Sequence, residues 1–299
     1  SFIQGGDGGM DYPMATLITG ERGLNSLVGV SVHELMHSWY QMILGTNESL
    51  YAWMDEGFTS YASREVTNWL RRDGSLPGEP SEFPHLGAYA SYAGFNATGR
   101  EEAMITHSDH FVTNSAYSIA AYVKGSVFLH QLEYVVGEEA FDAGMLRYFR
   151  EWKFKHPNPN DFIRIMEKES GLELDWYKEY WIHTVHVVDY SIGEVTEAEG
   201  GGTEINLLRL GVMPMPVDLQ ITFEDGSRVM YTIPLRIMRG HKTAEGDAAF
   251  KVAEDWPWTH PEYNLVIPES PESIQSIEID PSRRLADVNP DNNVYRSGE

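Results

Sequence analysis

Apolar positions recur at helical spacing over residues 26–44 and again over 55–71, which predicts two helices early in the chain. Residues 1–13 before them are glycine-rich and read as extended. From 73 to 100 the sequence is rich in Gly, Pro and Ser, the composition of a surface excursion with one helical turn. The helical pattern returns from 117 through Tyr122 to Leu132, and amphipathic stretches follow at 138–155, 161–170 and 175–184. Pro157 and Pro159 mark a break, with Asn160-Asp161 as the expected cap of the helix behind them. After Val188 the period shortens. Residues 197–203 form an acidic, glycine-rich link. Val217 to Phe223 and Arg228 to Ile233 alternate apolar with polar, and Glu224-Asp225-Gly226-Ser227 joins them through an Asp-Gly turn, a strong hairpin signal. Short strand-like runs lie at 263–267 and 274–279. A helical part followed by a β-rich part predicts an α+β chain of two domains, 1–190 mostly helical and 191–299 an all-β sandwich.

Composition narrows the function classes. With 42% hydrophobic residues, including 8 Trp, 16 Tyr and 12 Phe, the chain can fill two cores and is not a disordered one. It has no cysteine, which excludes disulfides and thiolate metal sites. A net charge of −23 argues against nucleic acid or an anionic membrane surface as partner. The apolar run from Leu24 to Val32 is too short to span a bilayer, so no membrane insertion is expected.

The chemistry concentrates in His33-Glu34-Leu35-Met36-His37 and in Glu56, nineteen positions further on. Residues four apart share a helix face, so His33 and His37 can hold one ion together, and Glu56 enters from the start of the next helix. Two histidines, a carboxylate and an open position form a known ligand set of catalytic zinc. One zinc ion there would polarise a carbonyl and acidify water, with Glu34 placed to take the water's proton and pass it to a leaving amine. The oxyanion so formed needs a further donor, for which a tyrosine hydroxyl is suited. Sixteen tyrosines compete for that role.

These motifs, together with Gly8-Gly9-Met10-Asp11-Tyr12 and Tyr122-x-Lys124-Gly125, resemble the zinc aminopeptidase family of aminopeptidase N and leukotriene hydrolase. The likeness covers most of residues 5–190. It extends to the β-sandwich that follows the catalytic domain in relatives of aminopeptidase N, near Asp280 and from Asn289 to Asn293. The resemblance implies a thermolysin-like catalytic domain, a peptide substrate, and release of N-terminal residues. It implies metal binding by His33, His37 and Glu56, with Glu34 as base and Tyr122 as oxyanion donor. It also implies that Gly8, Gly9, Met10 and Asp11 run alongside the substrate, with Tyr117 a second tyrosine near the site. Asp55 is open to two roles, an outer hydrogen bond to a ligand histidine or a helix cap.

Two departures qualify the match. Asp11 stands where the family's strand usually has the glutamate that binds the substrate's free amine, and its reach is shorter by about 1.5 Å. The family's N-terminal β-domain is not seen, so a missing segment or a second chain is expected to cover an exposed sheet edge. The same scaffold could hydrolyse another electrophile such as an epoxide, or serve as a binding module without catalysis. The presence of all four motif residues and Tyr122 argues against the latter. The composition suits a bacterial periplasmic or secreted enzyme.

Overall fold

The computed structural model describes every residue except Asp7, Asp247 and Glu299. The chain divides into two units. The first comprises Ser1–His130, Met145–Ile165 and Trp181–Val185; the second comprises Gln131–Gly144, Met166–Tyr180 and His186–Glu299. The division runs inside four helices rather than at one linker. Among the described residues, no helix is long and apolar enough to cross a membrane.

The first unit opens with a three-stranded sheet of β1 (Phe2–Gln4), β2 (Gly9–Met10) and β3 (Thr16–Ile18), in the order β1-β3-β2. Helix α1 (Leu24–Met36) follows, then α2 (Phe58–Arg72) and α3 (Leu86–Asn96). Next come α4 (Asn114–Ser118), α5 (Gly125–Val136), α6 (Glu138–Trp152), α7 (Pro159–Ser170) and α8 (Asp175–His183). The helix expected over 26–44 is interrupted: after α1 the chain forms a π-helical turn, Ser38–Ile43, in which Tyr40 leaves helical geometry (φ −109°, ψ 88°). The whole of α3 was hidden in the excursion expected over 73–100. Gly87 and Gly94 dilute its helical signal, yet Ala88, Tyr89 and Tyr92 fall on one face and are buried.

The cap of α7 lies earlier than expected. Asn158 takes the position, accepting from Asp161 N at 3.0 Å, while Asp161 Oδ2 accepts from Asn158 N at 2.9 Å. Pro159, read as a break, is the first helical residue, where its missing N–H costs nothing. The core of this unit is an aromatic cluster. Trp53, Phe58, Phe128, Tyr148 and Phe162 are fully buried, with ring centroids 4.9 Å apart for Phe58–Phe162 and 5.0 Å for Trp53–Phe128. Lys124 is sealed among Tyr92 and Trp181, paired with Glu101 and donating to Thr184 O at 3.1 Å.

The second unit carries β4 (Tyr190–Glu197), β5 (Thr203–Arg209), β6 (Val217–Phe223) and β7 (Arg228–Ile233). It continues with β8 (Ala249–Val252), β9 (Glu262–Ile267), β10 (Ile274–Ile279) and β11 (Val294–Arg296). They form two sheets, ordered β11-β10-β6-β7-β8 and β4-β5-β9. The hairpin read from Asp-Gly is present, with Thr222 opposite Arg228 and Gly226 at φ 82°. The glycine-rich link over 197–203 is a second hairpin turn, because Gly200, Gly201 and Gly202 all take positive φ and let β4 fold back on β5. Inward residues of β6 (Val217, Leu219, Ile221) and of β5 (Ile205, Leu207) are fully buried, as alternation requires.

Lys242 and Arg284 hold the main buried charge network of this unit. Lys242 Nζ lies 2.7 Å from Asp218 Oδ2 and 3.1 Å from Glu245 Oε2, and Thr232 Oγ1 donates to Asp218 Oδ1 at 2.7 Å. Arg284 bridges Glu245 and Glu133. Burial pushes the Glu245 carboxyl up, but hydrogen bonding to Arg284 and the charges of Lys242 and Arg284 outweigh it and hold it down at about 2.

Candidate metal centre

Helical spacing puts His33 and His37 one turn apart on α1, and their Nε2 atoms converge to 3.3 Å. Glu56 Oε2 completes a triangle, 3.2 Å from His33 Nε2 and 3.3 Å from His37 Nε2. An ion bound tetrahedrally at about 2.0–2.1 Å from each donor would hold them about 3.4 Å apart. The donor set therefore fits zinc in both chemistry and spacing.

Each donor after α1 is aimed by an irregular turn. Glu56 sits in a π-helical turn, Trp53–Gly57, and Tyr122 in another, Ile119–Lys124. An extra residue per turn rotates a side chain off the regular helical face, a device frequent at functional sites. The two turns touch backbone to backbone. A Cβ on Gly57 would meet Gly125 Cα at 2.7 Å, and one on Gly125 would meet Gly57 Cα at 2.8 Å. That approach brings Tyr122 Oη to donate to Glu56 Oε1 at 2.6 Å, while its ring stacks on His33 at 5.9 Å. Tyr117 meets the Tyr122 ring edge-on at 6.3 Å.

The second nitrogen of His37 is surrounded by acceptors. The Tyr40 carbonyl, freed from the helical ladder, lies 2.9 Å from Nδ1, Asp55 Oδ1 2.7 Å, Thr59 Oγ1 3.2 Å and Asp11 Oδ2 3.8 Å. Asp55 thus lies against His37, and the turn that carries it has no side-chain cap. Burial disfavours charge on His37, but Asp55 and Glu56 outweigh it and push its pKa up to about 11. The same field favours any cation at Nε2. Asp55 is pushed up to about 7, first by burial and then by Glu56 and Asp11, against the opposing pull of His37. For Glu56, burial acts upward, but hydrogen bonds from His33, His37 and Tyr122 hold it down at about 2.

Glu34 is buried against β2. A Cβ on Gly9 would come within 2.2 Å of Glu34 Oε1, so this glycine admits the carboxylate itself. Gly8 has no such need, since a Cβ there would meet only Arg22 at 3.6 Å. Burial, more than offsetting the nearby histidines, pushes the Glu34 pKa up. Met10 and Tyr12 are exposed, whereas Asp11 is buried beside His37.

The structure therefore brings together His33, Glu34, His37, Glu56, Tyr122, Tyr117, Gly9 and Asp11. Sequence reading missed Thr59 and the Tyr40 carbonyl. The first had no motif, and the second is a main-chain group released by a turn that periodicity had smoothed over.

Comparison with known proteins identifies a family. The family profile described as "Peptidase family M1 domain" matches residues 16–181, more than half of the chain. Leucine aminopeptidase 2-1 of Meyerozyma guilliermondii is 28% identical over 194 residues, covering 59% of this chain and 30% of that protein. Leukotriene A-4 hydrolase of Xenopus laevis is 30% identical over 197 residues, again covering 59% and 30%. The chain thus spans about three-tenths of the length of these relatives. A crystal structure of Legionella pneumophila aminopeptidase A in complex with aspartic acid shares the fold over 96% of this chain and 31% of that one, with a TM-score of 0.63 at 11% identity.

Proposed function

This chain belongs to peptidase family M1, and from that premise we propose that it hydrolyses peptide bonds with one zinc ion, releasing N-terminal residues from peptides. The observation that carries the reading is the triangle of His33, His37 and Glu56 donor atoms, 3.2–3.3 Å on each side. In this reading residues 1–190 form a thermolysin-like catalytic domain and 191–299 a β-sandwich.

His33, His37 and Glu56 would hold the zinc ion, which would supply Lewis-acid chemistry toward the scissile carbonyl and the attacking water. Glu34, adjacent to the first ligand and lodged against Gly9, takes a proton from the attacking water and delivers it to the departing amine. Its raised pKa suits both steps, since it must hold the proton between them. Tyr122 presents an O–H beside the triad, now donating to Glu56, and turns to the oxyanion as charge develops there. Asp55, with Thr59 and the Tyr40 carbonyl, fixes the His37 ring so that Nε2 faces the triad. The Gly8–Tyr12 strand borders the substrate, Tyr117 flanks it, and Asp11 marks the end that receives the ammonium group.

The test is cleavage of one peptide in free-amine and N-acetylated forms by the zinc-loaded protein, read by mass spectrometry. Stepwise loss of single residues from the free-amine form alone is expected. Internal cleavage of both forms would replace the aminopeptidase reading with a broader peptidase. Turnover by Glu34→Gln at the unmutated rate would overturn the assigned chemistry.

A further inference from the structure

Beside the triad lies a pocket of about 310 Å³ between α1 and α2, opening on His33 and running along α2 past Ser60, Arg64, Thr67 and Arg71. That volume is near the lower bound of ligand pockets, about 300–1,000 Å³, and admits one or two side chains rather than a whole peptide. The lining contains two arginines and a histidine but no carboxylate, in a chain whose acidic residues outnumber its basic ones by 45 to 22. Arg64 Nη1 donates to Ser126 Oγ at 2.6 Å and to Ser60 O at 3.4 Å, both neutral acceptors. Among the described residues, neither Arg64 nor Arg71 forms an ion pair.

A half-buried guanidinium held by neutral groups keeps both its charge and part of its donor fork free to meet an anion. Burial disfavours its charged form, yet arginine does not give up its proton. The rest of its planar fork matches a carboxylate.

Charge across the triad is also polarised. Asp11 and Asp55 crowd the His37 side, whereas Arg64 and Arg71 lie on the His33 side. A peptide bound there is drawn with its ammonium end toward His37 and an anionic group toward the pocket. Arg64 follows Glu56 by eight residues, about 12 Å of helix axis. Its side chain spans part of that distance, so the anionic seat falls within one or two extended residues, at about 3.3–3.6 Å each, of the triad.

We propose that this pocket is a carboxylate subsite in which Arg64 receives an acidic group of the substrate just beyond the scissile bond. The chemistry is shared by an acidic side chain in the second position and by the C-terminal carboxylate of a short peptide. The inference rests on the peptidase reading for its placement, but not for the pocket's affinity.

Two measurements separate these dependences. With the zinc-loaded Glu34→Gln protein, which should bind peptide without cleaving it, calorimetry compares Ala-Glu-Ala-amide with its Gln counterpart, with Glu-Ala-Ala-amide and with free-acid Ala-Ala. The second-position Glu peptide should bind about tenfold more tightly than the Gln peptide. The difference should vanish in Arg64→Met and survive in part in Arg64→Lys. Tighter binding of Ala-Ala than of its amide would assign the seat to the C-terminal carboxylate. Equal affinity for Glu and Gln peptides, with no gain from a free C-terminus, would overturn the proposal. A preference for Glu in the first position would overturn its placement.

The second measurement follows the Arg64 side-chain N–H resonances of the metal-free protein during titration with glutarate. A saturable shift, lost in high salt, is expected. Its absence would overturn the pocket even if peptides are cleaved. A shift without any peptide cleavage would keep the pocket and sink the peptidase reading.

Discussion

Buried charge is handled differently at one place in each unit. In the second, every group of the Lys242–Asp218–Glu245–Arg284–Glu133 network faces an opposite charge of the same chain. In the first, Asp11, Glu34, Asp55 and Glu56 gather around two histidines, while Arg64 sits in a pocket without an acid. Lys124 and Glu101, also in the first unit, follow the paired rule. Desolvated charge is tolerated where geometry supplies its partner. What the contrast teaches is that charge gathered without an internal partner can receive a group from outside, which in the readings proposed above is a cation at His33, His37 and Glu56 and an anion at Arg64.

The comparison can be broken from either side, most severely at the base. Glu34→Gln should lower kcat by about 10³-fold or more while zinc content, measured by metal analysis, is unchanged. His33→Ala should instead lose metal and turnover together. Tyr122→Phe should reduce kcat by about 10²–10³-fold with little change in KM, since its hydroxyl acts on charge that develops during reaction. A fall in KM-dependent binding alone would remove it from the oxyanion role. Asp55→Ala should weaken zinc binding by about 10–100-fold in chelator competition, because the His37 ring loses an outer partner.

The smallest effect belongs to the paired network. Glu245 has a folded pKa of about 2, below its ordinary 4.5. Its contribution to stability is therefore complete above about 4.5 and disappears as pH falls toward 2. Glu245→Gln should cost about 2 kcal/mol at neutral pH, allowing for its partial exposure, and should flatten the acid limb of the denaturation profile. Peptide turnover should stay within about twofold. A loss of zinc on this change would erase the distinction between the two kinds of buried charge.

The convergence of His33 and His37 was legible because helical spacing aligns them, and the α+β character because the period changes after Val188. The Asp-Gly hairpin was legible too, being set by residues adjacent in sequence. What escaped depends on main chain rather than side-chain pattern. The break at Tyr40 comes from one residue leaving helical geometry, and α3 from burial of a weakly patterned segment. That the missing Cβ of Gly9 makes room for Glu34 was not legible either, since the two are far apart in sequence. Arg64 carried no motif at all. Its significance is an absence of nearby carboxylates, which requires positions distant in sequence to be seen together.

The crossing of Gly57 and Gly125 has a mechanical consequence. With Cα atoms in direct contact and no side chain between them, the turns bearing Glu56 and Tyr122 form a rigid coupling without a compressible layer. A shift of either turn would carry the other with it, so the backbones that bear Glu56 and Tyr122 keep their spacing. Tyr122 can then reorient only through its own side-chain torsions.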